Sequence, residues 1–324
     1  MAMRSSISFI IPYYDLPKEL LLRAVGSILD ARLDADMEII VVDDGTPQSH
    51  AQKWLAEFDD NRILYCYQEN AGLSEARNAG IRLASKEYIQ FIDADDYFFP
   101  CTYRLIVDIL NEKTPDIAIS KFKKVASSGI EHIRPQKLRC ESFESGAAFM
   151  AAHSFFGGAW SYVFKRRILA GLQFHPGIYH EDEDFTPRLL ANAKTTITTG
   201  ITTYAYYQRP HSIINTSNPA TIAKRFADLR YILKRLKNSG KTAKDALTQT
   251  ALLRRYEQLA LSVIYSVLKN APNFDFICAE LKELHALGCY PLPRRHYSWK
   301  YNLFRLLTNK RWKLRIMRFL LKQR

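Results

Sequence analysis

The feature that most narrows what this chain can fold into is an alternation confined to its N-terminal third. Short β-branched and aromatic runs, Ile7 to Pro12, Met37 to Val42, Ile63 to Tyr67 and Tyr88 to Ile92, are separated by stretches of helical spacing, Leu16 to Ala31, Gln48 to Phe58 and Ser74 to Ala84. Continuous apolar runs of this length fit strands buried on both faces. Strands alternating with helices at this spacing build a parallel, doubly wound α/β sheet. Ser74 is placed to cap its helix. Beyond residue 100 the pattern loosens: Tyr103 to Leu110 reads as helix, Asp116 to Lys121 as strand, and the polar stretch through Arg139 as a hairpin. After about Asn215 the period is almost wholly helical, as in Ile222 to Lys237 and Ala246 to Lys269. A chain of 324 residues therefore reads as one large α/β domain over 1–215 with a helical region over 216–324.

In such sheets ligands bind beyond the carboxyl ends of the strands, where the connecting loops converge. Pro12, Asp43-Asp44, Asn70 to Gly72 and Asp93 to Asp96 all stand at such ends. Asp93-Ala94-Asp95 puts two carboxylates on one side of an extended loop, with the alanine turned away. Mg²⁺ and Mn²⁺ favour such oxygen ligands and leave their other positions to water and phosphate, which suits a bridged diphosphate. The same aspartates could equally be turn formers or cap the helix from Pro100. Asp43-Asp44 could accept hydrogen bonds from a nucleobase or ribose, or cap the following helix. Asn70 to Gly80 offers a glycine turn ahead of a helix that carries Arg77 and Asn78, or a plain loop-to-helix junction.

Taken in order, four segments closely resemble the family 2 glycosyltransferases. They are Ile10-Ile11-Pro12-Tyr13-Tyr14, Val41-Val42-Asp43-Asp44-Gly45-Thr46, Glu69 to Ser74 with Ala76-Arg77-Asn78-Ala79-Gly80, and Phe91-Ile92-Asp93-Ala94-Asp95-Asp96. The match in order and spacing covers roughly residues 7–100. A weaker likeness runs through Trp160 to Lys165 and His180 to Phe185 to about Ser212. The resemblance implies the GT-A fold, a Rossmann-like, mostly parallel sheet flanked by helices, here with a C-terminal helical segment. It also implies a nucleotide-diphosphate sugar donor, with a UDP-sugar favoured, a Mn²⁺ or Mg²⁺ ion, and inversion at the anomeric carbon.

Carried over residue by residue, the resemblance implies that Pro12 and Tyr14 border the nucleotide. Asp43 and Asp44 would stand on the uracil or ribose side, with Asn70 and Gly72 in the adjoining loop and Arg77 near base and phosphates. Asp93 would contact ribose or sugar beside the metal, and Asp95 would bind the metal directly. Asp182 is the expected general base, supported by Glu181. Without the upstream matches, the acidic run from Glu181 would read simply as a helix start. Trp160 could lie under a sugar ring or pack in the core. Arg209 and His211 are expected to close over the diphosphate or join the metal. Here the chain departs from the family, with Tyr207-Gln208-Arg209 where the commoner form has a Tyr-Arg pair slightly earlier.

The net charge of +13 is concentrated at the C-terminal end, because residues 286–324 hold eleven Lys or Arg and no Asp or Glu, which leaves +2 for the rest. From Trp312 onward, a helical projection sets Arg315, Arg318 and Lys322 against a wide arc of Leu314, Ile316, Met317, Phe319, Leu320 and Leu321. The expected partner of this tail is an anionic membrane surface; docking of the apolar arc on the catalytic domain competes with it, and nucleic acid is the weakest reading. No signal-peptide pattern and no apolar run long enough to span a bilayer is present, so the chain reads as cytoplasmic and peripheral at the inner face of the membrane. The five cysteines are scattered, with no CxxC pair, and read as reduced packing residues. The expected acceptor is a glycan or lipid-linked glycan of cell-surface polysaccharide synthesis. Two other classes compete. A nucleotidyltransferase should carry a glycine-rich phosphate loop after the first strand, and Pro12 to Pro17 contains no glycine. A nucleic-acid binder should spread its positive charge over the main domain.

Overall fold

The computed structural model describes residues 4–126, 129–134, 136–209, 218–295, 297 and 299–322. The chain divides into two compact units, Met1–Phe149 with Phe155–Ser212, and Met150–Ser154 with Ile213–Arg324.

The first unit is built on a nine-stranded sheet. Its N-terminal half follows the alternation in the sequence: β1 (Ser6–Tyr13), α1 (Lys18–Asp30), β2 (Asp36–Asp44), α2 (Ala51–Leu55), β3 (Ile63–Gln68), α3 (Leu73–Leu83) and β4 (Tyr88–Phe91). These four strands pair in parallel in the order β3-β2-β1-β4. The remaining elements are β5 (Tyr97–Phe98), α4 (Pro100–Lys113), β6 (Ile117–Val125), β7 (Cys140–Phe143), α5 (Gly146–Ala152), β8 (Tyr162–Lys165), α6 (Glu181–Asn192) and β9 (Thr196–Tyr207). They extend the sheet as β8-β6-β9-β5 and make it mixed, since β8 runs antiparallel to both β4 and β6. Among the described residues, the strands on either side of the polar stretch through Arg139 do not pair as the expected hairpin would. β6 and β7 never pair; β9 lies between them and bonds both.

Alternate residues of the buried strands serve opposite faces. Phe9, Ile11, Ile39 and Val41 pack with Leu21, Val25 and Ile28 of α1 and with Tyr103, Ile106 and Leu110 of α4. On the other face α3 lies so close that a Cβ on Gly80 would come within 2.2 Å of Ile10. Phe91 shares that face, and through Phe174 it reaches Phe185 of α6, which stacks on Phe174 at 3.8 Å.

The second unit is helical: α7 (Pro219–Lys241), α8 (Ala246–Asn270), α9 (Phe274–Ala286), α10 (Trp299–Thr308) and α11 (Arg311–Lys322). Asn218, Asp245 and Asn273 cap the first three through their side chains. α11 docks through buried Leu314 and through Arg318, which donates to the carbonyls of Ala271 (3.2 Å) and Pro272 (2.9 Å), while Arg315 lies over the Phe274 ring. A different face, Trp312, Ile316, Phe319 and Leu320, is left exposed, as are Trp299, Leu303 and Leu306 on α10. No described helix is long and apolar enough to cross a membrane.

Candidate active site

The strand ends deliver polar groups to one rim of the sheet. Asp43 and Asp44 close β2. Asp43 is fully buried and accepts from the Thr46 N–H (2.9 Å), the Tyr65 hydroxyl (2.9 Å) and the Ser49 hydroxyl. Asp44 accepts from Gln68 Nε2 (2.7 Å) and from the N–H groups of Ala71 (2.9 Å) and Gly72 (2.8 Å), and Asn70 Nδ2 donates to its carbonyl (2.9 Å). Both carboxylates are thus engaged by the protein, and Asp44 fixes the loop that starts α3. Gly72, not Ser74, is the N-cap of that helix. Its φ of 88° and ψ of 166° belong to a region that side chains other than glycine rarely adopt. The Asp44 carboxylate holds the turn just ahead of the helix through the Ala71 and Gly72 N–H groups, and no side chain caps α3. Pro12 is buried at the end of β1, and Tyr14 just beyond it is exposed.

Arg77, in the second turn of α3, is the hub of the site. It is buried, donates through Nη1 to Glu181 and through Nη2 to Asp93 (2.9 Å), and packs over Phe174 and Phe91. Burial would lower its basicity, but Asp93, Glu181 and Asp182 outweigh it and hold the guanidinium charged. The residue ties the donor-side loop to α6.

The Asp93–Asp96 loop divides its work among its carboxylates. Asp96 is buried and accepts from the Tyr204 hydroxyl (2.6 Å) and the Tyr207 N–H (2.7 Å). The same Tyr204 oxygen accepts from the Asp93 N–H (3.1 Å), so one phenol of β9 braces both ends of the loop. Burial, then Asp95 and Asp93, push the Asp96 carboxyl well above the usual range. Asp95 is raised by burial and by Asp93, against the pull of Arg209, whose Nε pairs with it at 2.6 Å. Arg23 of α1, held over the rings of Tyr97 and Tyr207, donates to the Asp95 carbonyl.

Glu181 and Asp182 open α6, directly after His180 in a left-handed conformation (φ 62°, ψ 35°). The two carboxylates differ in kind. Glu181 is bound by Arg77, whereas the Asp182 carboxyl makes no hydrogen bond among the described residues. Burial first, then Glu181 and Glu183, push it up to about 8. A carboxyl raised this far keeps its proton at neutral pH and becomes able to accept one as the pH approaches 8.

Among the described residues no three carboxylate, histidine or cysteine side chains converge as a metal cage. Asp93 and Asp95 nevertheless fit a divalent ion that keeps water and phosphate oxygens in its remaining positions, because one short loop gathers three carboxylates, Asp93, Asp95 and Asp96, against two paired arginines, Arg77 and Arg209. His211 lies outside the described residues. Trp160 is 5% exposed and stacks on Tyr204 at 4.3 Å, so it is a packing residue that supports the phenol beneath the aspartate loop. Residue patterns alone miss Arg23, Tyr204 and Tyr206. The one available signal was the alternation of Tyr204 and Tyr206 after Thr202-Thr203, the period-two mark of a strand.

Comparison with known proteins agrees with this geometry. The Glycosyl transferase family 2 profile matches residues 8–212. The chain is 30% identical to the uncharacterized glycosyltransferase EpsJ of Bacillus subtilis over 218 residues, 64% of this chain and 62% of EpsJ, so it spans less than two thirds of that relative. Its fold is similar to S. aureus TarS 1-349 solved with UDP-GlcNAc, at a TM-score of 0.65 and 16% identity over 87% of this chain and 80% of that one. It is also similar to the mannosyltransferase PcManGT of Pyrobaculum calidifontis solved with GDP-Man and Mn²⁺, at 0.56 and 15% over 99% and 88%. With the family profile covering the whole strand-end rim and α6, this chain belongs to glycosyl transferase family 2.

Proposed function

We propose that the chain transfers a sugar from a nucleotide-diphosphate donor, a UDP-sugar, to a hydroxyl of a glycan or lipid-linked glycan in cell-surface polysaccharide synthesis, with inversion. The observation that carries this reading is the unbonded carboxyl of Asp182, set across Arg77 from the Asp93–Asp95 pair. Asp182 takes the proton of the acceptor hydroxyl as its oxygen attacks the anomeric carbon, and the bond to the leaving diphosphate breaks on the opposite side. Glu181 keeps Arg77 in place. Pro12, Tyr14 and the loop shaped by Asp43, Asp44, Asn70 and Gly72 receive the nucleoside, and Asp93 faces the ribose or sugar. Asp95, with Asp93 and His211, would hold Mn²⁺ or Mg²⁺, which when bound neutralises charge on the diphosphate. Arg209 is then free to leave Asp95 for the phosphates.

The 1–215 segment is the catalytic domain in this reading. The basic amphipathic tail that ends the helical region over 216–324 holds the protein peripherally on the anionic inner face of a membrane, where lipid-linked acceptors lie. The test is calorimetric titration of UDP- and GDP-sugars with Mn²⁺ and with chelator, on the native chain, Asp95→Ala and Asp182→Ala. Asp95→Ala should lose the metal-dependent part of donor binding. Asp182→Ala should keep donor binding and lose transfer. If no nucleotide sugar binds, or chelator changes nothing, the reading fails.

A further inference from the structure

Beside α6 and the carboxyl half of β9 stands a cluster of aromatic rings, of which only Trp160 supports the donor loop. Phe122 of β6 packs edge-on against Trp160 (4.9 Å, 85°), Phe156 lies against both (5.1 and 5.3 Å), and Tyr206 of β9 is stacked on Trp160 (5.6 Å, 16°). Trp160 is interior, yet Phe156 is 53% exposed while resting on two other rings. Held by two other rings, Phe156 offers a fixed apolar face at the surface.

Its position is fixed by its neighbours. Phe156 precedes Gly157, whose carbonyl accepts from Thr186 of α6 (2.5 Å), and a Cβ on Gly157 would come within 2.9 Å of the Glu183 carboxylate. The Phe156 loop is therefore stitched to the first turns of the helix that begins with Glu181 and Asp182. Tyr206 borders the same space from the sheet. Its hydroxyl has no hydrogen-bond partner among the described residues. Burial, then the charges of Asp96, Asp93, Asp95 and Asp182, push that phenol up to about 12, so it remains a donor throughout the working pH range. Tyr206 lies two residues beyond Tyr204, whose hydroxyl holds the aspartate loop, and packs against Phe122 and Trp160 of the same cluster.

A pyranose ring matches this lining: its C–H face suits an aromatic ring, and its hydroxyl rim suits a phenol and carboxylates. An acyl chain would need a continuous apolar groove, which a single exposed ring bordered by carboxylates does not provide. We propose that Phe156 and Tyr206 form the subsite for the acceptor sugar, which stacks on Phe156 and receives a hydrogen bond from the Tyr206 hydroxyl next to the group that Asp182 deprotonates. This rests on the reading of Asp182 as the base.

The test uses the full chain with UDP or GDP and Mn²⁺, and saturation-transfer NMR with the methyl pyranosides of glucose, galactose, mannose and N-acetylglucosamine. At least one should bind with saturation concentrated on its C–H face. Phe156→Ala should weaken it roughly five- to tenfold, Phe156→Tyr should restore it, and Tyr206→Phe should weaken it about three- to tenfold. Nucleotide affinity should be unchanged in all three, and each variant should still melt cooperatively. The subsite is overturned if no pyranoside binds the native protein, if the variants leave pyranoside affinity intact, or if they lower nucleotide affinity equally. Failure of the native protein to bind either nucleotide brings down the donor reading itself, and the subsite with it; the calorimetric arm reads that separately.

Discussion

At the scale of single residues, the site sets two neighbouring carboxylates to opposite tasks. Glu181 is neutralised by Arg77 and is structural; Asp182 is unbonded, with its proton affinity raised to about 8 by burial and its acidic neighbours. Activity should therefore rise with pH, and the kcat/KM profile of the free enzyme should bend near 8, as befits a base that works only when deprotonated. Asp182→Asn should cut kcat by about 10²–10⁴-fold with donor affinity retained. The sign for stability is the reverse. The folded chain binds this proton more tightly than the unfolded chain, whose carboxyl titrates near 3.8, so the group's contribution is fully present below that pH and lost as pH rises towards 8. Asp182→Asn should accordingly melt higher than the native protein, by about 2–4 °C or more at pH 8.5, with the gap narrowing towards pH 4. A gap that is flat in pH would refute the raised proton affinity. Arg77→Leu should do the opposite and destabilise by about 3–5 kcal/mol in urea titrations, since it leaves Glu181 and Asp93 facing each other without a cation.

At the scale of elements, what the sequence discloses and what it hides follow from length and period. β1, β2 and β4 are legible because they are continuous apolar runs ended by Pro12, Asp43 and Asp93, and β3 because it falls at the same spacing. β8 is a short apolar run with no helix spacing around it to mark its place in the alternation, and β9 is rich in threonine with Gly200 inside it, so it lacks an apolar run. Yet β9 supplies Tyr204 to the aspartate loop and separates β6 from β7. The loop aspartates were legible as a group, but not their separate duties, which depend on partners more than one hundred residues away. The closest packing of helix on sheet is also hidden. Gly80 allows α3 to approach Ile10 of β1, and a methyl group there would meet the Ile10 side chain at 2.2 Å. Gly80→Ala should cost about 1–3 kcal/mol. Because α3 carries both the Gly72 turn and Arg77, the same variant should weaken nucleotide binding at temperatures where it remains folded. An unchanged urea midpoint would show that α3 can move away from the sheet freely.

At the scale of the whole molecule, the question is what the helical unit does with its charge. Its last helix turns Leu314 and Arg318 towards its own unit, and this leaves Trp312 and Phe319, 62% and 63% exposed, on a stripe with Ile316 and Leu320. Trp299, Leu303 and Leu306 form a second exposed stripe on α10. Lys300 and Lys313 lie beside the two tryptophans, so each apolar stripe has a cation at its edge. Docking thus uses one face of α11 and leaves an aromatic and basic face over, which is the composition that settles at a bilayer interface. Sedimentation with vesicles separates the contributions. The intact chain should pellet with anionic vesicles at low salt and much less with neutral ones, because the lysines supply attraction and the rings supply depth. Added salt should weaken the binding without abolishing it. Trp312→Ala with Phe319→Ala should reduce the bound fraction by about tenfold or more, as two large apolar side chains lose a place to bury, while melting and nucleotide affinity stay unchanged because neither ring packs in a core. Retention of the intact chain in the supernatant with anionic vesicles would remove the membrane from the reading and leave the exposed stripes to a protein partner.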